Sequence, residues 1–173
     1  MAKYTPVQIE KMLASLQIVV DTREQDTRQL RERIRGFGVP CVREKLNVGD
    51  YGALYTDADG KKQNLHSVAV CERKMSLDEL CNCFTKGRKR FEREFERAKA
   101  DGCRVHLIVE NASYEKLLAH KYRSQLSPKS LMASLLSWSA RYGMKPHFCQ
   151  AETTGRLIAD ILHYELREYL INQ

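Results

Sequence analysis

The 173 residues contain no C-x-x-C pair and no cysteine–histidine spacing suited to zinc, although six cysteines are present (Cys41, Cys71, Cys81, Cys83, Cys103 and Cys149). A structural zinc site is therefore not expected. Cys81-x-Cys83 is too short to bridge comfortably, and several of the other cysteines lie in apolar runs where they read as small core residues. No apolar run approaches the roughly 18 to 20 residues of a membrane-spanning helix, and the amino terminus lacks a signal-peptide pattern. The expectation is an intracellular, cytoplasmic protein in a reducing compartment, with no membrane partner. Internal repeats and low-complexity stretches are also missing.

What is present is a basic chain with enough apolar residues for a core. Hydrophobic residues make up 43% and charged residues 29%. Lys plus Arg outnumber Asp plus Glu by 29 to 22, a formal net charge of +7. Such a surface attracts polyanions, although a merely soluble basic protein fits the charge equally well. The length suits one compact domain.

Hydrophobic periodicity lays out the elements. Thr5-Pro6 opens a helix whose Val7, Ile9, Met12, Leu13 and Leu16 share one side. Gln17 to Asp21 reads as a buried strand ending in an acid. Asp26, with Gln29 three residues on, is the expected cap of a second helix. Pro40 to Asn47 reads as a strand, and Tyr51 to Tyr55 and Ser67 to Lys74 as a hairpin around the turn residues Asp57 to Gly60. Ser76 and Glu79 form a capping box for a helical region that breaks near Gly87 and runs to about Ala100. A strand follows at Cys103 to Glu110, then helices at Tyr114 to His120 and Pro128 to Tyr142, then an edge strand at Lys145 to Cys149. Thr153 or Thr154 caps a last helix with a long apolar stripe from Leu157 to Leu170. The sum is a mixed sheet flanked by helices, an α/β fold.

The chemistry concentrates in Val68-Ala69-Val70-Cys71-Glu72-Arg73-Lys74. Strand side chains alternate, so Glu72 and Lys74 point to one face and Arg73 to the other. One reading is that the strand simply reaches solvent and Glu72 pairs with a lysine. Asp50 favours the other reading. In the expected hairpin it faces Glu72, and two carboxylates held close repel unless something positive lies between them. A hard divalent cation such as Mg²⁺ suits that place. Lys74 then stands beside metal-bound water, an arrangement fitted to phosphodiester hydrolysis. Asp21 is a candidate third acid, and Arg23 and Glu24 either brace the site or contact phosphate.

These residues resemble a known family. Val20-Asp21-Thr22-Arg23-Glu24 is similar to the V-D-x-R-E opening of the XPF-type structure-specific nuclease domain. Gly49-Asp50, Glu72-Arg73-Lys74 and Asp78 follow its G-D-xₙ-E-R-K-x₃-D signature, and Gly87-Arg88 its later G-R. The resemblance spans about residues 17 to 115, with 116 to 173 as a helical continuation of a single nuclease domain, 1 to 173. It implies a restriction-endonuclease-like core and Mg²⁺- or Mn²⁺-dependent cutting of DNA at branches, flaps or forks, in repair, recombination or phage DNA metabolism. It assigns Asp21, Asp50, Glu72 and Lys74 to the catalytic centre, with Asp21, Asp50 and Glu72 as metal ligands and Arg73 and Asp78 in support. Asp78 also reads as a helix-start acid favoured by the dipole. A catalytically silent DNA-binding subunit is the alternative; inactive copies tend to lose the acids or the lysine, and here all stand.

Lys86-Gly87-Arg88-Lys89-Arg90 is a dense basic cluster next to the expected site. Together with Arg23 it is expected to face DNA phosphates; a solvated helix face paired with Glu92, Glu94 and Glu96 is the plainer reading. The tandem helix-hairpin-helix domain of many family members has no counterpart in these residues. The expectation is a small standalone form of the bacterial or phage kind, with a helper protein as one source of branch recognition. The last helix either packs on the sheet or supports a homodimer.

Overall fold

Local capping chemistry fixes where the helices begin. In the computed structural model, which describes residues 3–173, the first helix α1 spans Pro6–Ala14. Thr5 Oγ1 accepts the Gln8 N–H at 3.3 Å, and Gln8 Oε1 accepts the Thr5 N–H at 2.8 Å. Two donors that the first turn leaves orphaned are thereby satisfied. After β1 (Gln17–Asp21), helix α2 covers Arg28–Arg35. Its cap is Thr27, whose Oγ1 accepts from Leu30 N–H at 3.1 Å, and not the expected Asp26. Asp26 is drawn off into an ion pair with Arg31 at 2.9 Å.

Next come β2 (Cys41–Glu44), β3 (Tyr51–Thr56), β4 (Lys62–Asn64) and β5 (Ala69–Lys74). The Asp57–Gly60 turn joins β3 to the short β4, a strand not expected from the sequence, where a direct hairpin between β3 and β5 was the reading. Leu65 then bends the chain, donating to Ala53 O and accepting from Val68 and Ala69 N–H, before β5 pairs antiparallel with the start of β3 at Tyr51↔Cys71. The register around the acids is therefore the expected one although the connection is not.

Helices α3 (Leu77–Phe84) and α4 (Arg88–Ala100) break at Gly87 as expected. Ser76 Oγ accepts from Glu79 N–H, but the Glu79 carboxylate takes the Met75 N–H at 2.7 Å, so the expected box closes one residue early. Strand β6 (Arg104–Glu110), helices α5 (Tyr114–Leu118) and α6 (Pro128–Tyr142), edge strand β7 (Lys145–Cys149), a 3₁₀ turn at Ala151–Thr153 and helix α7 (Thr154–Ile171) complete the chain. Thr153 precedes α7 without a side-chain capping bond.

The seven strands form one sheet in the order β2-β1-β3-β5-β6-β7, with β4 on β3. β1, β3 and β5 run antiparallel, while β2–β1, β5–β6 and β6–β7 are parallel pairs. This is the mixed α/β architecture expected from the pattern. One sheet face packs against α3, α4 and α6 through Val70, Val105, Leu107 and Val109. There Trp138 meets Phe84, Phe91 and Phe95 with ring centroids 4.9 to 5.3 Å apart, pairs worth about 0.5–1.5 kcal/mol each beyond their buried area. The other face packs against α1, α2 and α7. Ile158, Leu162, Leu166 and Leu170 of the α7 stripe are buried there within the chain. Gly155 lets α7 approach α2: a Cβ at this position would stand 2.1 Å from Arg33 O.

Candidate active site

The opening of β3 sets the first acid. Gly49 has φ +78°, and an added Cβ would meet Cys71 O and Val70 Cβ at 3.0 Å. Only glycine fits that turn, which delivers Asp50 directly beside β5. Asp50 N–H donates to Cys71 O at 2.9 Å, and Asp50 Oδ2 accepts the Arg73 N–H at 2.8 Å. With Tyr51 opposite Cys71, Asp50 falls opposite Glu72.

The alternation of β5 then sorts its three charges. Glu72 and Lys74 lie on the α4 side, buried, and form an ion pair with each other. Lys74 Nζ also stands 5.2 Å from the Phe91 ring centre, a cation–π contact. The Arg73 guanidinium lies on the opposite face. It pairs with Glu110 at 3.1 Å, and Glu110 binds Arg33 of α2 at 3.1 Å. Arg33 reaches Tyr51 Oη at 2.9 Å, and Tyr51 donates to Glu24 at 2.8 Å. Arg73 supports the site by its backbone N–H and by this brace beneath the sheet, and its side chain does not enter the cleft.

Burial marks both acids electrostatically. Burial, and then the Glu72 charge, push Asp50 up to about 8, against the pull of Lys74. Burial likewise raises Glu72, with the Lys74 ammonium opposing it. Burial would lower Lys74, but the charges of Glu72 and Asp50 hold it above its ordinary value. One ammonium between two carboxylates leaves the group one positive charge short.

Asp50, Glu72 and Lys74 open into a cleft of about 510 Å³. Its rim carries Arg23 from the loop after β1 and Lys86 and Arg90 from the α3–α4 junction. The basic cluster is thus divided. Lys86 and Arg90 face the cleft, whereas Arg88 turns to Trp138, 5.6 Å from its ring centre. Lys89 is exposed and is not part of the lining. Glu92 of the plainer reading is taken by Arg141 and by the Tyr142 hydroxyl.

One expected member of the centre, Asp21, and one expected support, Asp78, are engaged outside the cleft. Asp21 is 1% exposed, and its carboxylate is saturated: Oδ1 accepts Arg23 N–H and Nε at 2.7 Å, and Oδ2 accepts Leu46 N–H at 2.6 Å. Burial pushes Asp21 up, but these bonds outweigh it and hold the carboxyl below its ordinary value. Asp21 therefore fixes the loop bearing Arg23 and is absent from the cleft lining. Asp78 also points away: its Oδ1 accepts the backbone N–H groups of Arg123 and Ser124, each at 2.8 Å.

Other residues reach the cleft without having been singled out for it. Glu79, Asn82 and Glu94 line it, beside the expected Glu24. Glu79 and Asn82 sit one turn apart on α3, a helical spacing that would have placed them once the start of α3 was tied to Lys74. Two histidines meet outside the cleft. His106 Nδ1 and His147 Nε2 are 2.9 Å apart, and His106 Nε2 meets Glu165 at 2.8 Å. They lie on the α7 side, away from the cleft.

Among the described residues no group of three or more His, Cys, Asp and Glu is arranged to hold a metal ion. Two carboxylates one positive charge short remain a fit for Mg²⁺, which keeps several waters and binds through one or two carboxylates. Comparison with known proteins agrees with the fold. The structure resembles XPF from Aeropyrum pernix, with a TM-score of 0.61 and 20% identity over 88% of this chain and 69% of that one. It also resembles XPF from Aeropyrum pernix in complex with DNA, with a TM-score of 0.59 and 21% identity over 86% of this chain; the match spans 63% of that chain, less than two thirds of its length. Among curated proteins none matches. The family model described as the ERCC4 domain matches residues 20–161, most of the sequence and all of the cleft, and the chain belongs to that family of DNA nucleases.

Proposed function

We propose that the chain is a divalent-metal-dependent endonuclease that hydrolyses phosphodiester bonds in branched, flap or forked DNA. The observation that carries this reading is the placement of Asp50 opposite Glu72 on neighbouring strands, both in one cleft, with Lys74 beside them and Lys86 and Arg90 on the rim. The related XPF complex with DNA supports a polyanionic substrate for such a cleft.

Asp50 and Glu72 would hold Mg²⁺ or Mn²⁺, hard cations that suit two carboxylate ligands. The bound ion would polarise the phosphate and lower the pKa of water. Lys74, kept protonated by its neighbours, orients Glu72 and supplies positive charge where the phosphate gains negative charge. Lys86, Arg90 and Arg23 take up neighbouring phosphates, a sequence-independent contribution that weakens with salt. Asp21, Arg73 and Asp78 hold the loops and strands that present these groups.

The test is cleavage of labelled forked, flap and plain duplex DNA by purified protein with Mg²⁺ or Mn²⁺. Wild type is expected to cut, while Asp50→Ala and Glu72→Ala bind but do not cut. Equal cleavage by those variants would move the chemistry elsewhere.

A further inference from the structure

Asp78, the signature acid that leaves the cleft, leads to a second groove. The loop it holds, residues 119–127, is braced from within. The Tyr122 hydroxyl donates to Leu126 O at 2.8 Å, the His120 ring meets Ser124 O at 2.9 Å, and Leu126 N–H donates to Ser124 Oγ at 3.2 Å. A surface loop with this many internal bonds has a fixed backbone, and it presents an Arg123 side chain that is 95% exposed. Between this loop and α3 runs a groove of about 570 Å³. It shares Asn82 and Lys86 with the Asp50–Glu72 cleft, so the two adjoin at the end of α3.

The charges in the groove point one way. Its single carboxylate, Asp78, is engaged by two backbone N–H groups and lies 3.8 Å from Arg123 Nε. Thr85 and Gln125 are neutral, which leaves Lys86 and Arg123 facing solvent with no free acid between them. Two cations along a polar groove that adjoins the Asp50–Glu72 cleft suit a chain of phosphates.

We propose that this groove is a second backbone-binding track, which carries the DNA arm leaving the cleft, with Arg123 on one phosphate and Lys86 at the junction. The proposal rests on the nuclease reading of the cleft. Asp78 is a positioning residue in it: it sets the loop and touches no DNA.

The test is fluorescence anisotropy of the full chain with labelled forked DNA in EDTA, repeated across a salt series. Arg123→Glu is expected to weaken binding about tenfold and to lower the slope of log K against log salt by about one, the loss of one phosphate contact. Arg123→Lys retains most of the affinity. Arg167→Glu, the same charge change on α7 across the sheet, leaves affinity and slope unchanged. Thermal melts at the wild-type temperature confirm that the variants are folded. An unchanged affinity and slope in Arg123→Glu, with wild type still cutting DNA, overturns the groove and leaves the nuclease reading standing. Equal losses in Arg123→Glu and Arg167→Glu overturn it too, by reducing the effect to net charge. Failure of wild type to bind forked DNA at all overturns both readings.

Discussion

Asp50 Oδ2 accepts the backbone N–H of Arg73 at 2.8 Å, which ties the acid at the start of β3 to the strand that carries Glu72 and Lys74. The bond fixes one carboxylate oxygen and leaves the other free for the cleft. It also explains how Arg73 belongs to the site although its side chain braces the far face of the sheet.

Asp50 is expected to cost stability in the absence of metal. Its folded-state value, pushed up to about 8 by burial and the Glu72 charge, lies above the ordinary 3.8, so the folded chain binds this proton more tightly than the unfolded chain. Stability from this group therefore falls as pH rises between those two values. Asp50→Asn removes that loss, and each kcal/mol regained raises the melting temperature by roughly 2–4 °C. Melts in EDTA at pH 5 and pH 8 should show the larger gain at pH 8; equal gains would contradict the assignment.

The Lys74–Glu72 pair gives a second prediction. Lys74→Met leaves a buried carboxylate without its partner and should cost about 3 kcal/mol or more in urea unfolding. Adding Glu72→Gln to that variant should recover much of the loss. A double variant no more stable than Lys74→Met would show that the two groups do not act as a pair.

His147 is expected to make stability fall on mild acidification. Burial first, then His106 and Lys145, push His147 down to about 4 from an ordinary 6.5. A base whose folded-state value is depressed contributes stability that is complete above the unfolded value and is lost as pH falls from 6.5 towards 4. His147→Gln should flatten the unfolding free energy across that window, while wild type slopes by up to one proton.

Gly155 supplies a packing test. Its added Cβ would collide with Arg33 O at 2.1 Å, and Arg33 carries the Glu110–Arg73 brace. Gly155→Ala should destabilise the chain by about 2 kcal/mol or more in chemical unfolding, the mark of overpacking. A change within 0.5 kcal/mol, the range of neutral surface substitutions, would mean that α7 shifts freely away from α2.

Much of the fold and the heart of the site were legible because they depend on local spacing. Alternation along β5 separates Glu72 and Lys74 from Arg73, and glycine before Asp50 marks the tight approach to Val70 and Cys71. Pro128 to Tyr142 carries its own cap, apolar stripe and glycine stop. What was not legible depends on contacts between distant segments. Asp21 is consumed in part by Arg23, two residues on, but also by the Leu46 N–H from just past the end of β2, a contact that the order of residues does not reveal. Asp78 meets Arg123 and Ser124 across more than 40 residues. His106 and His147 meet only because β6 and β7 pair in parallel with His106 beside Lys145 and Ile108 beside His147.

The most direct test of the central claim is a calorimetric titration of Mn²⁺ into the metal-free chain, with Asp50→Asn and Glu72→Gln alongside. The account predicts one bound ion per chain in wild type, lost in each variant, together with a Mn²⁺-dependent rise in melting temperature only in wild type. Undiminished Mn²⁺ binding in both variants would contradict it, because the ion would then be held by groups other than these two carboxylates.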